Sequence, residues 1–249
     1  DDLPLMTWLN GHIWPAEGAF VSESFIADGT QLAMAEMLRT GTTTFSDMYF
    51  FPEVVAQLAR DAGMRAQVCF PLLDFPTPWG SGPEEYLAKG EEFIRQWQDD
   101  PFIMPAIGPH APYTVSDEPL TKAVALSRAT DTPIQIHLHE TASEVADALD
   151  KSDQRPIARM AELGVLGPTT QCVHMTQIDD SDSELLKATG AQVIHCPESN
   201  LKLASGLCPV QKFREAGINV AIGTDGAASN NDLDLFGELG TAAMLAKVV

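Results

Sequence analysis

IQIHLHE, residues 134–140, reads as a short β-type segment with Ile134, Ile136 and Leu138 on one face and His137 among the polar residues of the other. It runs out onto Glu140. A second stretch, GTDGAASNN at 223–231, follows the apolar run VAIG and breaks it with glycine-rich turn chemistry at Asp225. A histidine and an aspartate, each at the C-terminal end of a buried strand, are suitable ligands for a catalytic zinc with an open coordination position. A carboxylate just past such a histidine, as Glu140 is, stands well placed for proton transfer. Each piece alone has an ordinary reading, His137 as a hydrogen-bonded core residue and Asp225 as a turn or cap residue. Two further polar residues at strand ends, His110 in GPHAPY and His174 in CVHM, shift the balance. Together they point to a metal-dependent hydrolase site built from strand ends.

Working outward, seven apolar runs read as strands, at 42–50, 65–73, 102–108, 133–139, 170–175, 191–196 and 219–224. Helix-period segments separate most of them. PEVVAQLARDAG at 52–63 closes on Gly63, and DEPLTKAVALSRAT at 117–130 follows Ser116 as a candidate N-cap. SDSELLKATG and CPVQKFREAG follow the same plan. Strand alternating with helix means parallel βα units, wound either as an open sheet or as a closed barrel. The candidate polar residues end many successive strands and must converge, which a barrel achieves. No G-x-G-x-x-G opens a first βα unit, as a dinucleotide-binding sheet would favour. The opening segment reads as a loop before a helix over 22–39, and DFPTPWGSGPEE at 74–85 as a turn-rich loop.

The 249 residues are 45% hydrophobic and 20% charged, enough for a sizeable core. A net charge of −20 argues against a nucleic-acid partner, which needs clustered Lys and Arg. No run is long and apolar enough to span a bilayer, and DDLPLMTWLN lacks the pattern of a signal peptide, so a cytoplasmic location without a membrane partner is the expectation. Cys69, Cys172, Cys196 and Cys208 form no C-x-x-C pair and read as buried free thiols.

The ordered set WPAE, GPHAPY, IHLHE, CVHM, HCPESNLKLASG and GTDGAASNN resembles the amidohydrolase superfamily, and within it the 5-methylthioadenosine/S-adenosylhomocysteine deaminases. The resemblance covers nearly the whole chain. It implies a TIM-like (β/α)8 barrel with one Zn2+ per subunit, acting on a small-molecule nucleoside, and leaves a homo-oligomer open. Carried over by motif, His137 is a zinc ligand and Glu140 the proton shuttle to the purine ring. His174 holds the attacking hydroxide, and Asp225 is both a zinc ligand and the base that deprotonates water. Glu140 and Asp225 also contact the substrate, Glu17 in WPAE binds the ribose hydroxyls, and His110 lies near the 5′ substituent. His139 and His195 stay outside this set, and His12 has no role.

The family also takes two zinc ligands from a His-x-His pair on its first strand. Here the one His-x-His, His137-Leu138-His139, occupies another strand. Residues 1–249 are therefore expected to be an internal fragment, strands 2 to 8 of the barrel, without the first strand and without the small β-sandwich domain. The stretch 69–87 contains no Arg or Lys and offers Phe70, Phe75 and Trp79, which suits a methylthio group better than a zwitterionic homocysteine tail. The leading expectation is zinc-dependent hydrolytic deamination of 5′-methylthioadenosine, with S-adenosylhomocysteine or adenosine as further substrates. The alternatives are a guanine deaminase or triazine chlorohydrolase type of reaction, or a catalytically defective binding paralogue.

Overall fold

The structure, a computed structural model, describes residues 3–247. Its strands are β1 (Thr44–Met48), β2 (Arg65–Leu72), β3 (Ile103–Pro109), β4 (Ile134–Leu138), β5 (Thr170–His174), β6 (Gln192–His195) and β7 (Val220–Ile222). Six fall within the runs expected, and β3 passes the end of its run, 102–108, by one residue. The strands follow one another in chain order, and every pairing with a resolved register is parallel. The helices are α1 (Leu5–Trp8), α2 (Trp14–Phe20), α3 (Glu23–Arg39), α4 (Pro52–Ala62), α5 (Pro83–Trp97), α6 (Asp117–Thr130), α7 (Ala142–Ser152), α8 (Pro156–Glu162), α9 (Asp180–Thr189), α10 (Pro197–Lys202), α11 (Val210–Glu215) and α12 (Leu235–Leu245). Among the described residues no helix is long and apolar enough to cross a membrane.

The chain divides into two compact units. The first comprises Met6–His110 with Thr114–Gln135, and the second takes the other described residues. In the first, β2 is buried along all but its first residue, as a parallel strand covered on both faces should be. Helix α4 starts on Pro52 and stops at Gly63, whose φ of +69° supplies the left-handed turn out of the helix. Helix α5 lies close against β2 at Gly90, where a Cβ would come within 2.3 Å of the Phe70 ring. A side chain there would displace that ring.

Two sequence expectations need correction in this unit. The opening segment is not a loop: α1, a π-helical turn (Leu9–Ile13) and α2 occupy most of it before α3 begins after its cap Ser22. Pro15 sits in the first turn of α2, where its missing N–H costs nothing. The loop at 74–85 ends at Gly82, because Pro83 opens α5 with Glu84 and Glu85 in its first turn. On the polar face of β4, Gln135 is buried and accepts from the Ser46 hydroxyl at 2.6 Å, itself bonded to Gln67 at 2.9 Å. The polar side chains of that face satisfy one another.

In the second unit β5, β6 and β7 pair in that order, with Val173 beside Ile194 and His195 beside Ile222. The end of β4 joins them through the Met175 N–H, which donates to the Leu138 carbonyl at 3.2 Å. All four cysteines are free and buried, and burial above all pushes the thiols of Cys69, Cys172 and Cys208 up to about 12. They are inert at neutral pH.

Candidate active site

The ends of β4, β5 and β7 in the second unit gather four of the expected residues. His137, half-buried near the end of β4, stacks on His174 with ring centroids 5.5 Å apart. His174 Nε2 lies 3.8 Å from Glu140 Oε2. Asp225 is close enough for both imidazoles to act on its charge. The backbone is bent sharply to do this. His139, His174 and Asp225 hold left-handed φ values of +52°, +77° and +60°, a conformation that costs a non-glycine residue about 1 kcal/mol or more.

His174, Asp225 and Glu140 are each held by neighbouring residues. Asn200 Oδ1 accepts from His174 Nδ1 at 2.9 Å, which leaves Nε2 directed at Glu140. Burial would lower the His174 pKa, but the charges of Glu140 and Asp225 and the Asn200 bond outweigh it, and the net shift is upward. For Asp225 burial pulls the pKa up, yet His174, His137 and the hydroxyls of Ser199 and Ser229 hold it below the ordinary range. Ser199 donates to Asp225 Oδ2 at 2.7 Å, and the Gly226 N–H to Oδ1 at 2.7 Å. One short helix, α10, thus grips both His174 and Asp225 through adjacent residues. Glu140 is buried, its carbonyl accepts from Thr176 Oγ1 at 2.7 Å, and its N–H donates to Glu144 at 2.7 Å.

The two histidines left outside the set behave differently from each other. His139 is fully buried and locked: the Ile157 N–H donates to its Nε2 at 3.0 Å, so its Nδ1 carries the proton and donates to the Gln177 carbonyl at 2.9 Å. His195 is buried at the end of β6, and its Nδ1 has no hydrogen-bond partner among the described residues. Burial, with the nearby His174 charge, pushes its pKa down to about 4, so it stays neutral.

Glu17 and His110 belong to the first unit. Glu17, half-buried on α2, accepts from the Tyr49 hydroxyl at 2.6 Å, and burial raises its pKa against that bond. His110, just past β3, shares a 3.0 Å hydrogen bond with Thr114. Of the three aromatic residues expected to face a substrate, Phe70 and Trp79 are core side chains. Trp79 stacks on Tyr86 at 5.8 Å, and only Phe75 stays partly accessible, 5.6 Å from Trp14.

The sequence reading missed Glu144, Ser199, Asn200 and Glu238. Glu238 is fully buried on α12 and accepts from the Asn230 side chain and the Glu198 N–H, tying the loop that carries Asp225 to helix α10, which carries Asn200. Burial, chiefly, pushes its carboxyl up to about 7. Its native pKa therefore lies above the ordinary carboxylate value, and folding takes up a proton between about pH 4.5 and 7. The stability this contributes is complete below about pH 4.5 and is lost as the pH rises through 7. Glu238→Gln is expected to flatten that slope, measured as the urea midpoint from pH 5 to pH 8. An unchanged slope would show that Glu238 does not titrate on folding.

Nitrogen and oxygen donors side by side, His137 and Asp225, fit a zinc ion, and Asp225 is held ionised as a ligand must be. Among the described residues no three His, Cys, Asp or Glu side chains form a metal-binding group by themselves.

The sequence model of the Amidohydrolase family matches residues 1–249. A 5-methylthioadenosine/S-adenosylhomocysteine deaminase of Saccharophagus degradans is 61% identical over the whole chain, which covers 56% of that relative. An adenosine deaminase of Xanthomonas campestris, solved with bound zinc, superposes with a TM-score of 0.97 at 51% identity, over 100% of this chain and 56% of that one. A guanine deaminase of C. acetobutylicum, with guanine in its active site, gives 0.92 at 25% identity, over 99% and 61%. The chain thus spans about half the length of the curated relatives it matches. Its α/β fold class is the TIM-like barrel type of these hydrolases. The parallel βα order, the strand-end residues and the match along all 249 residues agree: this chain belongs to the amidohydrolase family.

Proposed function

We propose that the complete protein is a zinc-dependent hydrolytic deaminase of adenine nucleosides, acting by preference on 5′-methylthioadenosine to give 5′-methylthioinosine and ammonia. The observation that carries this reading is the buried Glu140 carboxylate set 3.8 Å from the His174 imidazole, in a chain 61% identical to a deaminase so named. His137 and Asp225 would hold one zinc ion per subunit. Zinc supplies a Lewis acid and water of pKa about 7 when bound. Asp225, held ionised, accepts the proton released as water attacks C6 of the adenine ring. His174, with its raised pKa, donates from Nε2 to the oxygen that gains charge at C6. Glu140 gives its proton to ring N1, takes the second proton of the water from the C6 oxygen and passes it to the departing amine, and the proton held by Asp225 then restores Glu140. Water is consumed, ammonia leaves, and each residue returns to its starting state. Glu17 would bind the ribose hydroxyls, and His110 would lie near the 5′ group.

The 5′ preference rests on the missing cation. Stretch 69–87 has no Arg or Lys, and Lys89 beyond it is engaged by Glu85 at 2.7 Å and by the Trp79 carbonyl. A homocysteine carboxylate would find no partner there, a loss of about tenfold or more in binding. Assay of the full-length enzyme against 5′-methylthioadenosine, S-adenosylhomocysteine, adenosine and guanine tests both parts. The expected result is a kcat/KM about tenfold or more higher for methylthioadenosine than for the homocysteine adduct. Equal values would remove the loop as the source of specificity, and turnover of guanine alone would remove the nucleoside reading.

A further inference from the structure

We propose that Glu144 is a positioning residue for Glu140, fixing the backbone from which the proton shuttle swings; the proposal rests on the deaminase reading above. After β4 the chain turns through His139, in its left-handed conformation, before α7 begins. The N–H groups of His139 and Glu140 are spent on one acceptor, the Glu144 carboxylate: Oε1 takes the first at 2.9 Å and Oε2 the second at 2.7 Å. Glu144 is itself buried, and so are both residues it holds. Two consecutive peptide planes pinned by one carboxylate fix the torsions that aim the Glu140 side chain. From the other side, Thr176 Oγ1 holds the Glu140 carbonyl. With its N–H and C=O both tied, Glu140 keeps only its side-chain freedom, between His174 Nε2 at 3.8 Å and the Ser205 hydroxyl at 3.4 Å.

An ordinary helix cap would not need this geometry. Thr141 is the N-cap of α7 and accepts the Glu144 N–H at 3.2 Å, which is half of a capping box. In the full box the carboxylate at this position returns to the N–H of the cap residue itself. Here it reaches one and two residues further back, to the turn that carries the shuttle. Burial, first of all, pushes the Glu144 carboxyl up to about 7, so holding its charge there costs the fold stability. A role in aiming Glu140 accounts for a carboxylate at this position.

The test uses the full-length, zinc-loaded enzyme and its Glu144→Gln and Glu144→Ala variants. Glutamine keeps the size of the side chain and one acceptor, but turns an NH2 group toward the other backbone N–H. The expected result is a fall in kcat of about 10²-fold, as for a displaced reacting group, with KM and zinc content unchanged. Amide exchange in a peptide covering 136–142 is expected to quicken in the same variants. Faster exchange with unchanged kcat would make Glu144 a helix cap and overturn the proposal. A lower kcat with unchanged exchange would overturn it too, since the effect would not pass through the backbone. A wild-type enzyme inactive on every nucleoside would remove the deaminase reading, and this proposal with it, whatever the exchange rates.

Discussion

Glu140→Gln, made in the complete zinc-loaded protein, is expected to lower kcat for nucleoside deamination by at least about 10²-fold while bound metal and substrate affinity persist. Glutamine matches glutamate in length, so the Ser205 hydroxyl and the surrounding backbone bonds can survive the change. What it cannot do is take up and release a proton beside His174. The reaction needs two proton deliveries, one at the ring nitrogen and one at the departing amine. Zinc content by metal analysis and the dissociation constant of a non-reacting nucleoside are the control measurements. Loss of zinc with kcat per bound metal unchanged would make Glu140 a structural residue and defeat its assignment as the shuttle.

Arg155→Leu is expected to destabilise the fold by about 3 kcal/mol or more, the usual cost of leaving one partner of a buried ion pair alone. Arg155 donates to Asp182 from Nε at 2.9 Å and to the Gln177 carbonyl at 2.7 Å. Asp182 is 1% exposed and caps α9 in a capping box with Asp179. Leucine would leave that carboxylate beside His139, whose pKa burial holds down, so no cation stands ready to replace the guanidinium. Urea unfolding of wild type and variant gives the difference. The exposed Lys122–Glu118 pair is the contrast, where removal of the lysine should leave the midpoint unchanged. A similarly small effect for Arg155 would mean that Asp182 is satisfied by the α9 backbone alone.

The strands and the longer helices could be read because period and glycine agreed locally: α6 runs from Asp117 to Thr130 as expected, although the Ser116 hydroxyl donates to Asp74 instead of capping it, and α4 stops where Gly63 says it should. The opening helices could not, because WPAEGAF carries no side-chain cap and its placement depends on partners far along the chain, Tyr49 for Glu17 and Phe75 for Trp14. The partners of the β4 polar residues could not be read, since nothing in IQIHLHE announces Ser46 and Gln67, which arrive from other strands. The same limit governs the site. His137, Glu140, His174 and Asp225 are unusual residue types at strand ends and stand out. Asn200 is an ordinary residue type that becomes informative only once folding brings it from 26 positions away to His174. Glu144 was missed as well, although Thr141-x-x-Glu144 matches the capping-box pattern, and its carboxylate reaches past the cap residue to the N–H groups of His139 and Glu140.

The left-handed backbone at His174 and Asp225 has a bearing on how this gene product would age. Glycine at either place would relieve about 1 kcal/mol of backbone strain, but it would also strip Asn200, Ser199 and the Gly226 N–H of their partners and end the chemistry. A duplicate released from selection for activity should therefore change positions 174 and 225 together with the residues that hold them, Ser199 and Asn200. In a set of related sequences, histidine and aspartate kept together at these two positions would mark the lineages still under selection as enzymes.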